Sequence, residues 1–319
     1  MSTTMEKGID RGLRLPARDG FKLAATLYEP RGPQSKSAAW GHETLVVISS
    51  ATAVPRIYYD GFARFLAGRG FAVLTYDYRG IGESRPKSLR GFYARMHQWG
   101  EDDLAGVIDW AGRHVQPERL LSVGHSVGGQ LVGLAENNEK IGALLTVGSQ
   151  SGYWGHWPSP ERWKVALYWH LIFPAVSRSF GYMPGWMGMK EDLPGGVARE
   201  WAAWGRRPHF LLDGHEERRA GFERFARPIF AYSFEDDDFA PRAAAVALLH
   251  FYRNARVVHR HLVPHTAGLP PVGHFGFFRD RFRDTLWEES AAWLERHAAV
   301  RIEGPAEEPA EVRATSVAA

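Results

Sequence analysis

Residues 119–129 read Arg119-Leu120-Leu121-Ser122-Val123-Gly124-His125-Ser126-Val127-Gly128-Gly129. An apolar run that ends in glycine, with a serine set between further glycines, is the pattern of a strand turning tightly into a helix. In a G-x-S-x-G turn the chain reverses so sharply that a Cβ at Gly124 or Gly128 would collide with neighbouring strand or helix. The turn lifts the Ser126 hydroxyl off the strand end. It also sets the Val127 amide at a helix N-terminus, where it can face a developing oxyanion. A plain Gly-rich βα turn has the same spacing, so this motif alone decides nothing. A phosphate-binding loop is excluded, because Gln130 stands where its lysine would be.

A serine hydroxyl is a poor nucleophile at neutral pH and needs a base oriented by an acid. The chain offers both, downstream and in order. Glu235-Asp236-Asp237-Asp238-Phe239-Ala240-Pro241 follows the strand-like run Arg227–Phe234. Gly273-His274-Phe275-Gly276 follows the run Arg256–Pro264 and a Gly/Pro-rich loop, just before a long terminal helix. An acidic run is usually a solvated loop and a lone histidine is usually structural. Serine, acid and histidine in this order, each after a strand, are much harder to obtain by chance.

The rest of the chain supports an α/β architecture. Thr44–Ser50 is a continuous apolar run of the kind buried on both faces of a parallel sheet, Phe71–Gly80 reads as another buried strand and Ile141–Ser149 as a further one. Phe21–Pro30 alternates and ends at a proline, which predicts an exposed or edge strand. Helix-like stretches lie between these runs: residues 58–70, Trp99–His114 and Arg281–Ala298. Strands alternating with helices mean βαβ units, a mostly parallel sheet and helices on both faces. The rhythm breaks once, in residues 150–226. That block holds Trp154, Trp157, Trp163, Trp169, Trp186, Trp201 and Trp204 and is too long for one crossover helix. It predicts an inserted helical cap over residues 152–225, in which most tryptophans build the insert's own core and one or two face a pocket. The core is then residues 1–151 and 226–303, with a mobile tail at 304–319.

Composition is ordinary: 45% apolar, 24% charged, and 39 basic against 36 acidic residues for a net charge of +3. This rules out a disordered chain and gives no electrostatic case for nucleic acid. The absence of cysteine removes disulfides and thiol catalysis. Val165–Val176 is greasy but short, and it is interrupted by His170 and Pro174, so no membrane span is expected. With no apolar leader at the start, a cytoplasmic location is expected.

These stretches together resemble the α/β-hydrolases. The similarity runs from Asp19-Gly20 to the final helix and includes Asp77-Tyr78-Arg79-Gly80-Ile81-Gly82-Glu83-Ser84. Residues 232–241 and 273–279 are similar to a group of bacterial members described as predicted α/β-hydrolases or serine aminopeptidase-like. The resemblance implies Ser126 as nucleophile, His274 as general base and then acid, and no cofactor or metal. It implies Asp237, four residues before Pro241, as the triad acid, with Asp236 the runner-up. Many members carry His-Gly after the third strand, where an amide completes the oxyanion hole. This chain has Ser49-Ser50-Ala51-Thr52-Ala53 instead. Ala51 is the expected second donor beside Val127, with Ser50 and Thr52 as alternatives.

The expected activity is hydrolysis of an ester, thioester or amide of an apolar or aromatic acyl group, with Tyr153, Trp154, Trp157 and Tyr168 of the cap against a small-molecule acyl substrate. No basic residue is placed to hold a phosphate. An acyltransferase on the same residues and a non-catalytic ligand-binding protein are the alternatives. Among the remaining polar residues, His259 and His261 read as packing or surface groups rather than a metal pair. The helix macrodipole accounts for Asp102-Asp103, and Asp77 orders its loop.

Overall fold

The computed structural model describes residues 10–30 and 43–299; the expected tail at 304–319 lies outside them. Among the described residues ten strands form, in chain order: β1 (Asp10–Pro16), β2 (Lys22–Tyr28), β3 (Thr44–Ser49), β4 (Ala72–Tyr76), β5 (Arg119–His125), β6 (Ala143–Val147), β7 (Tyr182–Met183), β8 (Leu193–Pro194), β9 (Ile229–Phe234) and β10 (Val257–Leu262). The α-helices of the same residues are α1 (Asp60–Gly68), α2 (Ala105–Trp110), α3 (Val127–Leu131), α4 (Glu161–Leu167), α5 (Phe173–Phe180), α6 (Gly195–Gly205), α7 (Glu216–Arg224), α8 (Arg242–Leu249) and α9 (Glu288–Ala299).

Eight of the strands make one sheet in the order β1-β2-β4-β3-β5-β6-β9-β10. From β4 to β10 every pairing is parallel, while β1 and β2 join antiparallel. The continuous apolar runs are explained by the two cores. Along β3, Leu45 and Val47 enter one buried cluster while Val46 and Ile48 enter the other. A two-residue side-chain period thus feeds both faces of the sheet at once. The expectation of β2 as an edge strand is corrected: β1 lies outside it, paired from Asp10↔Tyr28 to Pro16↔Lys22. Arg11 and Arg14 make β1 the more polar ribbon, and Pro16 fits its end, as an edge strand requires.

This topology carries the polar loops to one side. Residues 50–53, Ser126, Asp237 and His274 all follow the carboxyl ends of parallel strands, with the order switching direction between β3 and β5. Open α/β sheets bind their ligands at such a switch. Between β6 and β9 the chain passes through α4 to α7 and the two-stranded ribbon β7–β8, instead of a single crossover helix. Among the described residues no helix is long and apolar enough to cross a membrane.

Two polar residues near the sheet ends differ in role. Asp77 orders its loop as expected, accepting the amides of Arg56 at 2.6 Å and Glu83 at 3.0 Å. Asp103 is not explained by a helix dipole. It is fully buried and binds the Arg79 amide at 2.9 Å and the Arg79 guanidinium at 2.6–2.7 Å. Arg79 also reaches Asp19 at 2.6 Å, so the guanidinium is held charged by two carboxylates and ties the start of the chain to the loop after β4.

Candidate active site

Ser126 sits at the tip of the turn between β5 and α3 with φ 53° and ψ −114°, a conformation unfavourable for a residue with a side chain. Its neighbours show why glycine is needed. A Cβ on Gly124 would lie 2.5 Å from the Gly129 nitrogen, and one on Gly128 would lie 2.3 Å from the Ser49 carbonyl oxygen. The turn is pinned by the Ser126 amide, which donates to the Val147 carbonyl at 2.9 Å. Val127 is the first residue of α3, so its amide is one of the donors a helix leaves without an internal acceptor.

The acid and the base meet. His274 Nδ1 lies 2.8 Å from Asp237 Oδ2 and 3.0 Å from Oδ1, and both side chains are buried. Asp237 Oδ1 also accepts the amides of Phe239 and Ala240 at 2.9 Å each, which fixes the carboxylate's orientation. Gly148 lies against this pair: a Cβ there would stand 3.1 Å from Asp237 Oδ2 and 3.2 Å from His274 Nδ1. Asp236 has a different partner, the Val272 amide at 2.8 Å, and holds the loop that carries His274. Glu235 pairs with His261 at 3.0 Å.

Behind the pair runs a directional chain of hydrogen bonds absent from the sequence expectations. His125 is buried, and desolvation holds its pKa well below the ordinary imidazole value, so it is neutral. Its Nε2 lies 2.9 Å from the His274 carbonyl, which can only accept, so Nε2 carries the proton. Nδ1 must then accept, and it does so from the Tyr59 hydroxyl at 2.8 Å. The Tyr59 oxygen in turn accepts the Ala51 amide at 2.8 Å. The loop after β3, the serine turn and the His274 loop are thereby joined through one buried phenol and one buried imidazole.

That chain corrects the expectation for Ala51. Its N–H is bound to Tyr59 and does not face the cavity as a free donor. Thr52, the next residue, lines the cavity, and its hydroxyl is buried with no partner in the protein.

Ser126, His274 and Thr52 open on one cavity of about 330 Å³, within the range of small-molecule sites. Of the four expected substrate-contacting aromatics, Trp157 and Tyr168 line it. Tyr153 and Trp154 do not; they pack on one another at 5.7 Å, and Trp154 packs on Trp163. Trp169, Phe173 and Trp201, mutually edge-to-face at 4.8–5.6 Å, form an apolar wall the sequence did not single out. Three of the seven tryptophans (Trp157, Trp169 and Trp201) reach the cavity, more than the one or two expected. Lys190 also lines it, its ammonium 5.0 Å from the Phe275 ring centre and 5.2 Å from that of Tyr58. No basic residue is placed by the sequence to hold a phosphate, and Lys190 is not singled out there, since it comes from the loop between β7 and β8 that periodicity does not locate.

Strand order, serine turn and the paired acid and base are those of one fold, and the sequence profile described as alpha/beta hydrolase fold matches residues 43–179. The chain has the α/β-hydrolase fold. Among solved structures this hydrolase fold is similar to Est1E from Butyrivibrio proteoclasticus with bound ferulic acid, at 17% identity and a TM-score of 0.57, covering 90% of this chain and 99% of that one. It is similar to the Pyrococcus furiosus esterase Pf2001, at 14% identity and a TM-score of 0.56, covering 91% and 93%. A hypothetical protein from Pseudomonas aeruginosa superposes with a TM-score of 0.61 at 17% identity, covering 91% and 94%. No curated protein matches the sequence.

His259 and His261, the other pair weighed, both lie 2.8 Å from the Ser233 hydroxyl. Among the described residues no group of three or more potential metal ligands occurs.

Proposed function

We propose that this protein is a serine hydrolase cleaving an ester, thioester or amide of an apolar acyl group. The observation that carries the reading is the buried His274–Asp237 contact at 2.8 Å beside the same cavity as the strained Ser126. Asp237 holds the imidazole with Nδ1 protonated, which leaves Nε2 to take the serine proton. Ser126 Oγ attacks the acyl carbonyl, and the proton passes to His274. The tetrahedral oxyanion is met by the Val127 amide and by Thr52, which replaces Ala51 as second donor. His274 then protonates the leaving group, water attacks the acyl-enzyme with His274 as base, and the free acid departs. Helices α4 to α6 act as a cap: they supply the aromatic wall that receives the acyl group and keeps water from it. The neighbours described as esterases support an ester at the level of fold.

Labelling with a fluorophosphonate tests this without knowledge of the substrate. A single adduct on Ser126 is expected, lost in Ser126→Ala and in His274→Ala. An unlabelled protein, or labelling indifferent to His274, would overturn the reading.

A further inference from the structure

Lys190 is the only lysine or arginine among the described residues that line the cavity of Ser126 and His274. Its side chain is exposed, so the ammonium is open to a ligand from solvent. The nitrogen stands 5.0 Å from the centre of the Phe275 ring, and that ring lies edge-on to the His274 imidazole with centres 5.0 Å apart. It is also 5.2 Å from the centre of the Tyr58 ring, and the Arg279 guanidinium lies equally close to Tyr58, at 5.2 Å. Two cations thus share one ring, and among the described residues neither side chain pairs with a carboxylate. The acids next to them in the chain are used elsewhere. Glu191 accepts the Gly82 amide at 2.8 Å, Asp192 pairs with Arg85 at 2.7 Å, and Asp280 pairs with Arg283 at 3.4 Å. Asp238 also lines the cavity, but its backbone carbonyl accepts the Trp157 indole N–H at 2.9 Å, which sets it beside the cap.

Packing against aromatic faces holds a cation in place without neutralising it, and two like charges around one ring repel. An anion bound at Lys190 relieves that repulsion. Its position tells which part of the substrate carries the charge. His274 must hand its proton to the leaving group, so the leaving group passes along the imidazole. The acyl group faces the wall of Trp169, Phe173 and Trp201, to which neither Phe275 nor Tyr58 belongs. Lys190 stands one ring beyond the imidazole, on the leaving group's side. We infer that the leaving alcohol, thiol or amine carries a carboxylate, and that Lys190 binds it. One ammonium in an otherwise apolar lining balances one negative charge. This deepens the hydrolase reading and rests on it for the reaction, though not for the binding. The contact is made in the ground state and the transition state alike, so it acts on KM rather than on kcat.

The test uses the intact protein and the hexanoate esters of 3- and 4-hydroxybenzoate, each beside the ester of the matching hydroxybenzamide, in which a neutral amide replaces the carboxylate. For at least one pair, the carboxylate-to-amide ratio of kcat/KM is expected to be about fivefold higher in the wild type than in Lys190→Met, the size of an ion pair at a partly exposed position. The difference should lie in KM, and Lys190→Arg should keep most of the ratio. Reading the ratio within each variant cancels differences in leaving ability and in general activity. Calorimetric binding of the uncleaved esters to Ser126→Ala, with and without Lys190→Met, gives the same comparison without catalysis. A ratio unchanged in Lys190→Met, one lowered equally in Lys190→Arg, or equal affinity of Ser126→Ala for both members of each pair would overturn the inference. Carboxylate-selective binding that needs Lys190, in a protein that no fluorophosphonate labels, would instead sustain the inference and sink the hydrolase reading.

Discussion

Replacing Tyr59 by phenylalanine removes one oxygen atom from a site where two buried groups depend on it. The phenol accepts the Ala51 amide and donates to His125 Nδ1, each at 2.8 Å. The ring itself stays in place, packed edge-on against Phe278 at 4.7 Å and Tyr58 at 5.4 Å, so no cavity larger than the hydroxyl opens. What is lost is pairing. A buried donor or acceptor left without a partner costs about 1–3 kcal/mol, so two of them give about 2–6 kcal/mol. The same change releases the loop that carries Thr52, and loss of alignment there should lower kcat/KM by about 10- to 100-fold. Tyr58→Phe is the matched control: its hydroxyl donates to the Phe275 carbonyl at a half-buried position that water can reach, and about 1 kcal/mol or less is expected. Urea unfolding of the three proteins measures the stabilities, and hydrolysis of a small reporter ester measures the rates. A Tyr59→Phe protein within about 1 kcal/mol of wild type, or no less stable than Tyr58→Phe, would refute the hydrogen-bond chain as drawn.

The remaining expectations are shorter. Burial depresses the His125 pKa well below its unfolded value, so below about pH 6.5 the unfolded chain binds the extra proton; stability present above that pH is lost as pH falls, by about 1.4 kcal/mol per unit for this group. His125→Gln removes the term, so its stability curve between pH 6.5 and 5 should be shallower than wild type by about that slope, and parallel curves would contradict a neutral buried imidazole. Gly128→Ala drives a methyl to 2.3 Å from the Ser49 carbonyl oxygen and should yield little folded protein, whereas Gly112→Ala, with nothing within 4 Å, should be neutral or up to about 1 kcal/mol more stable; equal soluble yields and melting temperatures would show that the turn has room after all. Asp237→Asn should lower kcat by about 10³-fold or more, because an amide cannot hold Nδ1–H as a carboxylate does, while Asp236→Asn should lower it by less than about tenfold; the reverse ranking in steady-state kinetics would move the acid to Asp236.

The fold was legible because its signals are local. Thr44–Ser49 and Ala72–Tyr76 are buried at every position since both sheet faces are covered, and the apolar runs Leu45–Ile48 and Ala72–Leu74 show this without partner information. The serine turn was legible for the same reason: Gly124 and Gly128 answer to contacts within the turn and with the adjoining strand. Asp10–Pro16 escaped notice because its alternation is broken by Gly12 and three charged residues, and its pairing with β2 is what makes it a strand. Ala51 illustrates a different limit. Which amide of a short loop faces the cavity depends on a phenol eight residues along the chain, and no periodicity encodes that choice.

The polar residues that follow each parallel strand were the usable signal, and it was only partly used. Beyond β6, Ser149, Gln150 and Ser151 are buried polar side chains, just as Ser50 is beyond β3. A buried polar run at the carboxyl end of a parallel strand has few structural uses, because solvation is not available to it and the sheet ladder has ended. Read that way, Gln150 could have been singled out from the sequence, and Gly148 with it as the residue that lets Asp237 and His274 come close. Trp201 could not. Seven tryptophans in one insertion look alike in sequence, and what separates Trp201 from Trp169 is that a single backbone carbonyl, that of Gly152, satisfies one indole and leaves the other buried without a partner among the described residues.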